Sequence, residues 1–238
     1  MKQKLLVCLI GILSCNNYSM SQGFISDTTA DLNNDHKQEK ILLRTLDDSY
    51  LFRLQISDVQ ITDSFTYESA DGFRLIDIDK SDMFKEIAVH CPGLSDDDEY
   101  LIFWYDGTNI IKMAQLARWP TFPGNGIVYA DNWEGFWTRR DKYELDKSVR
   151  IVNLIPQPAY YVGVKATVKT PFMIYREPEL NHKVALLGKD SEIELLLFSW
   201  GNEDYHDQLY LIKSQTGLLG WARYIEFSEK IEGLPLAD

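Results

Sequence analysis

Cysteine and histidine are scarce in this 238-residue chain, with 3 Cys and 4 His, and their scarcity removes several chemistries at once. His36, His90, His182 and His206 stand apart, none at a zinc-type spacing from another His or a Cys, so a closed zinc site has no ligand set. No Gly-x-Ser-x-Gly elbow, phosphate loop or dinucleotide fingerprint occurs. Sustained helical periodicity is lacking too, because no stretch keeps an apolar stripe over three turns. Basic residues are in deficit, 24 Lys and Arg against 36 Asp and Glu, and the formal net charge of -12 repels nucleic acid and anionic lipid. What remains is an ordinary globular composition, 45% hydrophobic and 13% aromatic, which excludes extended disorder.

The amino terminus carries an address. Lys2 and Lys4 form a basic region ahead of the apolar run Leu5 to Leu13, which is too short to span a bilayer, so residues 1–21 read as a secretory leader. Its end has two forms. Ile12-Leu13-Ser14-Cys15 resembles a bacterial lipobox, with Cys15 the lipidated residue, whereas Ser19-Met20-Ser21 resembles an ordinary small-residue cleavage site. The expected location is the cell envelope through a lipid anchor, otherwise the periplasm or the medium. Either processing leaves Cys91 as the sole thiol, so no internal disulfide forms and the fold must rest on its core.

Beyond the leader, short apolar runs with alternation or β-branched enrichment are cut by turn residues: Lys40 to Arg44, Tyr50 to Ile56, Phe73 to Ile78, Glu86 to His90 and Tyr100 to Tyr105. These are strand signals, and Asp106-Gly107 between Leu101-Ile102-Phe103-Trp104 and Ile110-Ile111 is a hairpin signal. The fold class is mainly β, with a turn or two of helix near Ser228 to Glu232. Pro156-Gln157-Pro158 marks a boundary, so residues 22–160 and 161–238 are expected to form two β-rich domains.

Two acidic loops carry the strongest chemistry. Asp31, Asn33, Asp35 and Glu39 occupy the first, third, fifth and ninth positions of one segment, and Lys37 at the seventh offers its backbone carbonyl. A hard divalent cation wants six to eight oxygens, and alternate residues of a tight turn converge on one centre, so calcium is the expected ion. The segment resembles the FG-GAP/VCBS-like repeats of integrin-like and bacterial propeller proteins, with His36 where the repeat has a glycine and Glu39 where it has a shorter Asp. A second copy sets Asp77, Asp79, Ser81 and Glu86 in the same order with one extra residue, 46 positions on, a blade-like spacing. Room for only three such units implies an irregular, propeller-blade-like hairpin repeat and not a closed ring. Asp and Asn also cap turns without any metal, and Asp96-Asp97-Asp98-Glu99 reads as a solvated loop.

From about Val162 the chain resembles a bacterial Src-homology-3-like β-barrel over some 65 residues. Met173-Ile174-Tyr175-Arg176-Glu177-Pro178, the run Val184 to Leu195 with Asp190 in place of a usual glycine, Tyr210 to Lys213 and Gly217-Leu218-Leu219-Gly220-Trp221-Ala222 carry the likeness. Gly217 and Gly220 serve a tight turn and close strand approach, and Trp221 is expected to cover an open end of the barrel. Phe198, Trp200 and Tyr205 offer an aromatic wall, with core packing the plainer use of the same rings. The resemblance implies a module for cell-wall peptide, glycan or an envelope protein. The sequence therefore points to a non-enzymatic envelope protein. The alternative is an envelope hydrolase using Cys91 or an acidic pair near Asp77 and Asp79.

Overall fold

A computed structural model of the chain describes residues 24–46, 50–93, 97–118, 120–200 and 208–236. Residues 1–23, which hold the expected leader and Cys15, lie outside the described residues. Among the described residues the fold is mainly β, eighteen strands in antiparallel sheets with one short helix, and no helix is long and apolar enough to cross a membrane.

Three meanders follow one another. The first is β1 (Asp27–Ala30), β2 (Glu39–Thr45), β3 (Leu51–Ile56) and β4 (Val59–Ser64). The second is β5 (Gly72–Ile76), β6 (Glu86–Cys91), β7 (Glu99–Tyr105) and β8 (Ile110–Ala117), and the third is β9 (Ile127–Trp133), β10 (Thr138–Asp146) and β11 (Ile151–Ile155). Asp106-Gly107 closes the β7–β8 hairpin as its sequence predicts, with Gly107 at φ +99.

Burial shows how the sheets are layered. Every residue of β6 is buried, because the second sheet is covered on both faces, and a doubly covered strand loses polar alternation. Leu32 of the β1–β2 loop and Ile41, Phe52 and Leu54 of the first sheet pack with Phe73, Val89, Leu101 and Phe103 on one face. Ala88, Tyr100 and Ile102 pack with Val128, Ala130 and Val152 of the third sheet on the other. The stack ends in polar faces: β4 alternates half-buried and exposed residues, and Arg140 of β10 pairs with Asp131 of β9 at 2.8 Å. The third meander lacks a full first strand. Thr121 alone fills that place, exchanging two backbone hydrogen bonds with Tyr129.

The carboxy-terminal part is one seven-stranded, strongly bent sheet. Its strands are β12 (Tyr160–Val168), β13 (Phe172–Tyr175), β14 (Lys183–Leu187), β15 (Glu192–Trp200), β16 (Gln208–Ser214), β17 (Leu219–Arg223) and β18 (Ile231–Glu232), in the order β14-β13-β17-β16-β15-β12-β18. Helix α1 (Tyr224–Phe227) and a 3-10 turn at Ser228–Lys230 follow β17, slightly earlier than the sequence places them, because Phe227 is drawn into the core against Phe172. Asp190 adopts φ +65 in the place of the glycine, and a Cβ on Gly220 would stand 2.8 Å from that of Ile174, the close approach its sequence position implies.

The sheet changes at residues 156–159, where the sequence places the junction, but the core does not respect that boundary. Phe136 and Trp137, at the tip of the β9–β10 hairpin, belong to the core of the seven-stranded sheet. Trp137 donates its indole N–H to Tyr210 Oη at 3.1 Å, and Phe136 packs 5.8 Å from both Tyr210 and Tyr224. Each buries an aromatic area whose truncation costs about 3 to 5 kcal/mol in a typical core.

Candidate functional site

The two acidic loops share one backbone plan. In the first, Glu39 turns inward and accepts the Leu32 amide at 2.9 Å, and in the second Glu86 accepts the Ile78 amide at 3.0 Å. Leu32 and Ile78 are fully buried, and the carbonyl of each accepts from the next sheet, Leu32 from Lys85 N at 2.9 Å and Ile78 from Gly126 N at 2.8 Å. Both glutamates thus brace their loops through the backbone.

The first loop is open to solvent. Asp31 Oδ2 accepts from His36 N at 3.0 Å, Asn33 Oδ1 from Asp35 N at 3.2 Å and Asp35 Oδ1 from Lys37 N at 2.9 Å. His36 takes φ +66, the left-handed conformation for which the repeat uses glycine. Asp31 Oδ1 is buried and has no hydrogen-bond partner among the described residues. Lys37 pairs with Asp35 at 3.1 Å, but its side chain is 81% exposed, so this contact is a surface one of little worth.

The second loop is filled by cations of its own chain. Lys147, in the β10–β11 turn, pairs with Asp79 and reaches Ser81 Oγ at 3.3 Å. The Lys147 ammonium, followed by the Ser81 hydroxyl and amide, holds the Asp79 carboxyl down at about 2. Arg150 enters from the same turn with φ +56, giving one guanidinium nitrogen to Asp82 and the other to Glu86, both at 2.7 Å. Its guanidinium lies 4.9 Å from the Phe84 ring centroid and 4.8 Å from that of Trp104. Burial pushes the Glu86 carboxyl up to about 7, against the pull of the Ile78 amide and Arg150. Asp79, Ser81 and Glu86 are therefore engaged by Lys147 and Arg150, whereas Asp77 Oδ1, like Asp31 Oδ1, is buried with no hydrogen-bond partner among the described residues.

The residues considered for hydrolysis are separated or engaged. Cys91 is 2% exposed in the core shared by the first and second sheets, and burial pushes its thiol up to about 11, so little thiolate exists at neutral pH. His90, its neighbour on β6, points to the opposite face, as successive strand residues must. There its Nδ1 meets Asp71 at 2.7 Å, its Nε2 meets Asp98 at 3.3 Å, and Phe24 stacks on the ring at 3.9 Å. Asp98, from the acidic run, is buried here and not solvated.

Of the aromatic wall, Phe198 and Trp200 are adjacent, their ring centroids 4.9 Å apart. Phe198 is fully buried and touches Trp137 and Tyr210, which makes it a core residue and removes it from a contact surface. Trp200, at the end of β15, packs edge-on against Phe198 and lies 5.6 Å from the Arg139 guanidinium of β10. Tyr205 lies outside the described residues. Trp221 sits on the other face of the sheet from Phe198, and Phe136 and Trp137 join the core on the Phe198 face.

That outer face carries a pattern absent from the sequence reading. Tyr161 pairs with Leu197, Leu197 with Leu211, Leu211 with Trp221 and Trp221 with Tyr175, so five apolar side chains form one cross-strand row. The strand pairings that reveal it are long-range. The sequence signal that could have found Phe136 and Trp137 is two adjacent aromatics after a Glu-Gly turn, an expensive pair to leave in water. No family model matches the chain, and no curated protein or solved structure matches it significantly.

Proposed function

We propose that this chain is an exported, non-enzymatic binding protein of the cell envelope, lipid-anchored on Cys15. In this reading its first three sheets are a blade-like repeat domain of the FG-GAP type. Its first acidic loop takes calcium as a structural ion, and its Src-homology-3-like module meets a cell-wall peptide or an envelope protein. The observation that carries the reading is the first loop: oxygens at alternate positions, a buried Asp31 oxygen lacking a partner, and His36 in the conformation of the repeat's glycine. In this reading Asp31, Asn33 and Asp35 would be the side-chain ligands, with the Lys37 carbonyl beside them; no group of three or more His, Cys, Asp or Glu side chains is gathered for a metal among the described residues. Glu39, committed to the Leu32 amide, braces the loop. The second loop does not fit, because Lys147 and Arg150 stand in it.

Calcium would supply rigidity where the chain leaves an electrostatic gap, and it would supply it only outside the cell, where calcium is plentiful enough for a loop of modest affinity. Against the thiol form of the rival stands the burial of Cys91 in a core, which pushes its thiol up to about 11. Calorimetric titration of the mature chain with calcium tests the ion. One site, lost in Asp31→Ala and kept in Asp77→Ala, is the expected result. Turnover of an envelope ester or amide substrate that Cys91→Ser abolishes would replace the reading with the hydrolase.

A further inference from the structure

The outer face of the first sheet carries two cations that the chain leaves unmatched. Ile41 and Leu43 of β2 and Phe52, Leu54 and Ile56 of β3 point into the core, so the residues between them point out. Arg44 and Arg53 are directly opposed across β2 and β3 on that outer side. Thr62 of β4 stands beside Arg53 in the same row, and all three residues are exposed. Side chains so opposed have their Cβ atoms about 5.5 Å apart, and like charges in that position repel.

The pair is set apart by its lack of partners. Arg118, Arg139, Arg140, Arg150, Arg176 and Arg223 each meet a carboxylate, and Arg74 lies over the rings of Phe24 and Tyr100. Among the described residues Arg44 and Arg53 have neither an ion pair nor a ring contact. The nearby carboxylates are placed elsewhere. Asp63 points to the inner face and pairs with Lys112 at 3.1 Å. Asp71, across a depression of about 370 Å³ that opens beside Arg44, meets His90 at 2.7 Å. Asp27 of β1 and Asp58 of the β3–β4 turn stand further along the sheet, outside ion-pair distance of the row, and Lys40 shares their side. Asp47 and Asp48, between β2 and β3 in sequence, lie outside the described residues.

We propose that Arg44 and Arg53 form a binding site for a phosphoryl group, that of a soluble phosphate ester or of a lipid headgroup, with the Thr62 hydroxyl as a further donor. A phosphate monoester carries close to two negative charges, which match the pair, and its three free oxygens let both guanidinium forks bind at once. A carboxylate has only two oxygens, and a single fork fills them. The net charge of -12 repels anions at long range, so the site is weak and acts by short-range contact. It depends on neither the calcium loop nor the carboxy-terminal module.

The test titrates the mature chain, in chelator and at fixed ionic strength, with inorganic phosphate, glycerol phosphate and acetate, following backbone amide resonances by NMR. Both phosphates should give saturable shifts centred on Arg44, Arg53 and Thr62, with acetate about tenfold weaker. Arg44→Gln and Arg53→Gln should each weaken phosphate binding about tenfold, whereas Lys40→Gln, on the same face, should change it less than about twofold. Without phosphate, neither arginine variant should unfold earlier than the wild type, because each removes a repulsion and no partner. Vesicles of phosphatidylcholine with and without phosphatidic acid separate the sources. Co-sedimentation with the phosphatidic acid vesicles, lost in either arginine variant, assigns the headgroup; its absence beside saturable phosphate binding assigns a soluble ester. Shifts that do not saturate, an equal response to acetate, or binding that survives both arginine substitutions would mean two solvated arginines only, and overturns the proposal. A lower unfolding midpoint in either variant would give the pair a partner within the chain, Asp47 and Asp48 included, and overturns it as well.

Discussion

The first and second acidic loops differ less in backbone than in who supplies the positive charge. Each is braced by a glutamate that accepts the amide of a buried apolar residue, and each hands that residue's carbonyl to the following sheet. The second loop then receives Lys147 and Arg150 from the next meander's last hairpin. The corresponding hairpin beside the first loop, between β7 and β8, brings Asp106 instead, and a Cβ on its Gly107 would stand 3.0 Å from Asn33 Nδ2. The difference teaches that two loops with the same backbone plan can differ in whether cations of the chain itself enter them, and on the proposed reading the loop without them is where an external ion would act.

Breaking the internal solution should have the largest effect. Arg150→Met leaves Glu86 and Asp82 without their guanidinium, and loss of one partner of a buried pair costs about 3 to 5 kcal/mol. Denaturant unfolding should show that loss, greatest above pH 7. A variant as stable as the wild type there would mean that Arg150 does not hold the loop. Lys147→Met sharpens the comparison differently: with Asp79 freed, calcium should gain a second, weaker stabilising effect, visible as a larger midpoint shift than in the wild type.

The pH dependence of the second loop follows from two opposite displacements. Glu86 is raised to about 7 from 4.5, so the folded chain binds that proton more tightly and stability rises as pH falls from about 7 to 4.5. Asp79 is lowered to about 2 from 3.8, so its contribution is present above 3.8 and disappears as pH falls toward 2. Glu86→Gln should flatten the first window and leave the second; a slope between pH 4.5 and 7 that persists in Glu86→Gln would assign it elsewhere. The smallest effect belongs to His36→Gly, which relieves a left-handed φ in the first loop and should stabilise by about 1 kcal/mol at most. A clear loss of stability would show that His36 makes a contact worth more than the strain.

Much of the fold was legible locally. The runs that became β2, β3, β6 and β7 declare themselves by burial and alternation, and Asp106-Gly107 announces its hairpin. The two acidic loops were legible as local segments, since their spacing needed no partner. What could not be read was anything decided across distance. Arg150 lies 64 residues from Glu86, and no local pattern ties them. Phe198 shows the limit within one strand: Ile193 and Leu195 face inward, so simple alternation sends Phe198 out, but an irregularity between Leu195 and Leu197 reverses the parity and buries it. The same shift puts Leu197 in the outer row.

The central claim is that the first loop needs an outside cation and the second does not. Thermal unfolding of the mature chain in calcium and then in chelator tests it most directly, because an ion bound only by the folded state raises the midpoint. The account predicts a calcium-dependent rise that Asp31→Ala abolishes and Asp77→Ala retains. No rise in the wild type, or a rise that survives Asp31→Ala and vanishes in Asp77→Ala, would contradict it.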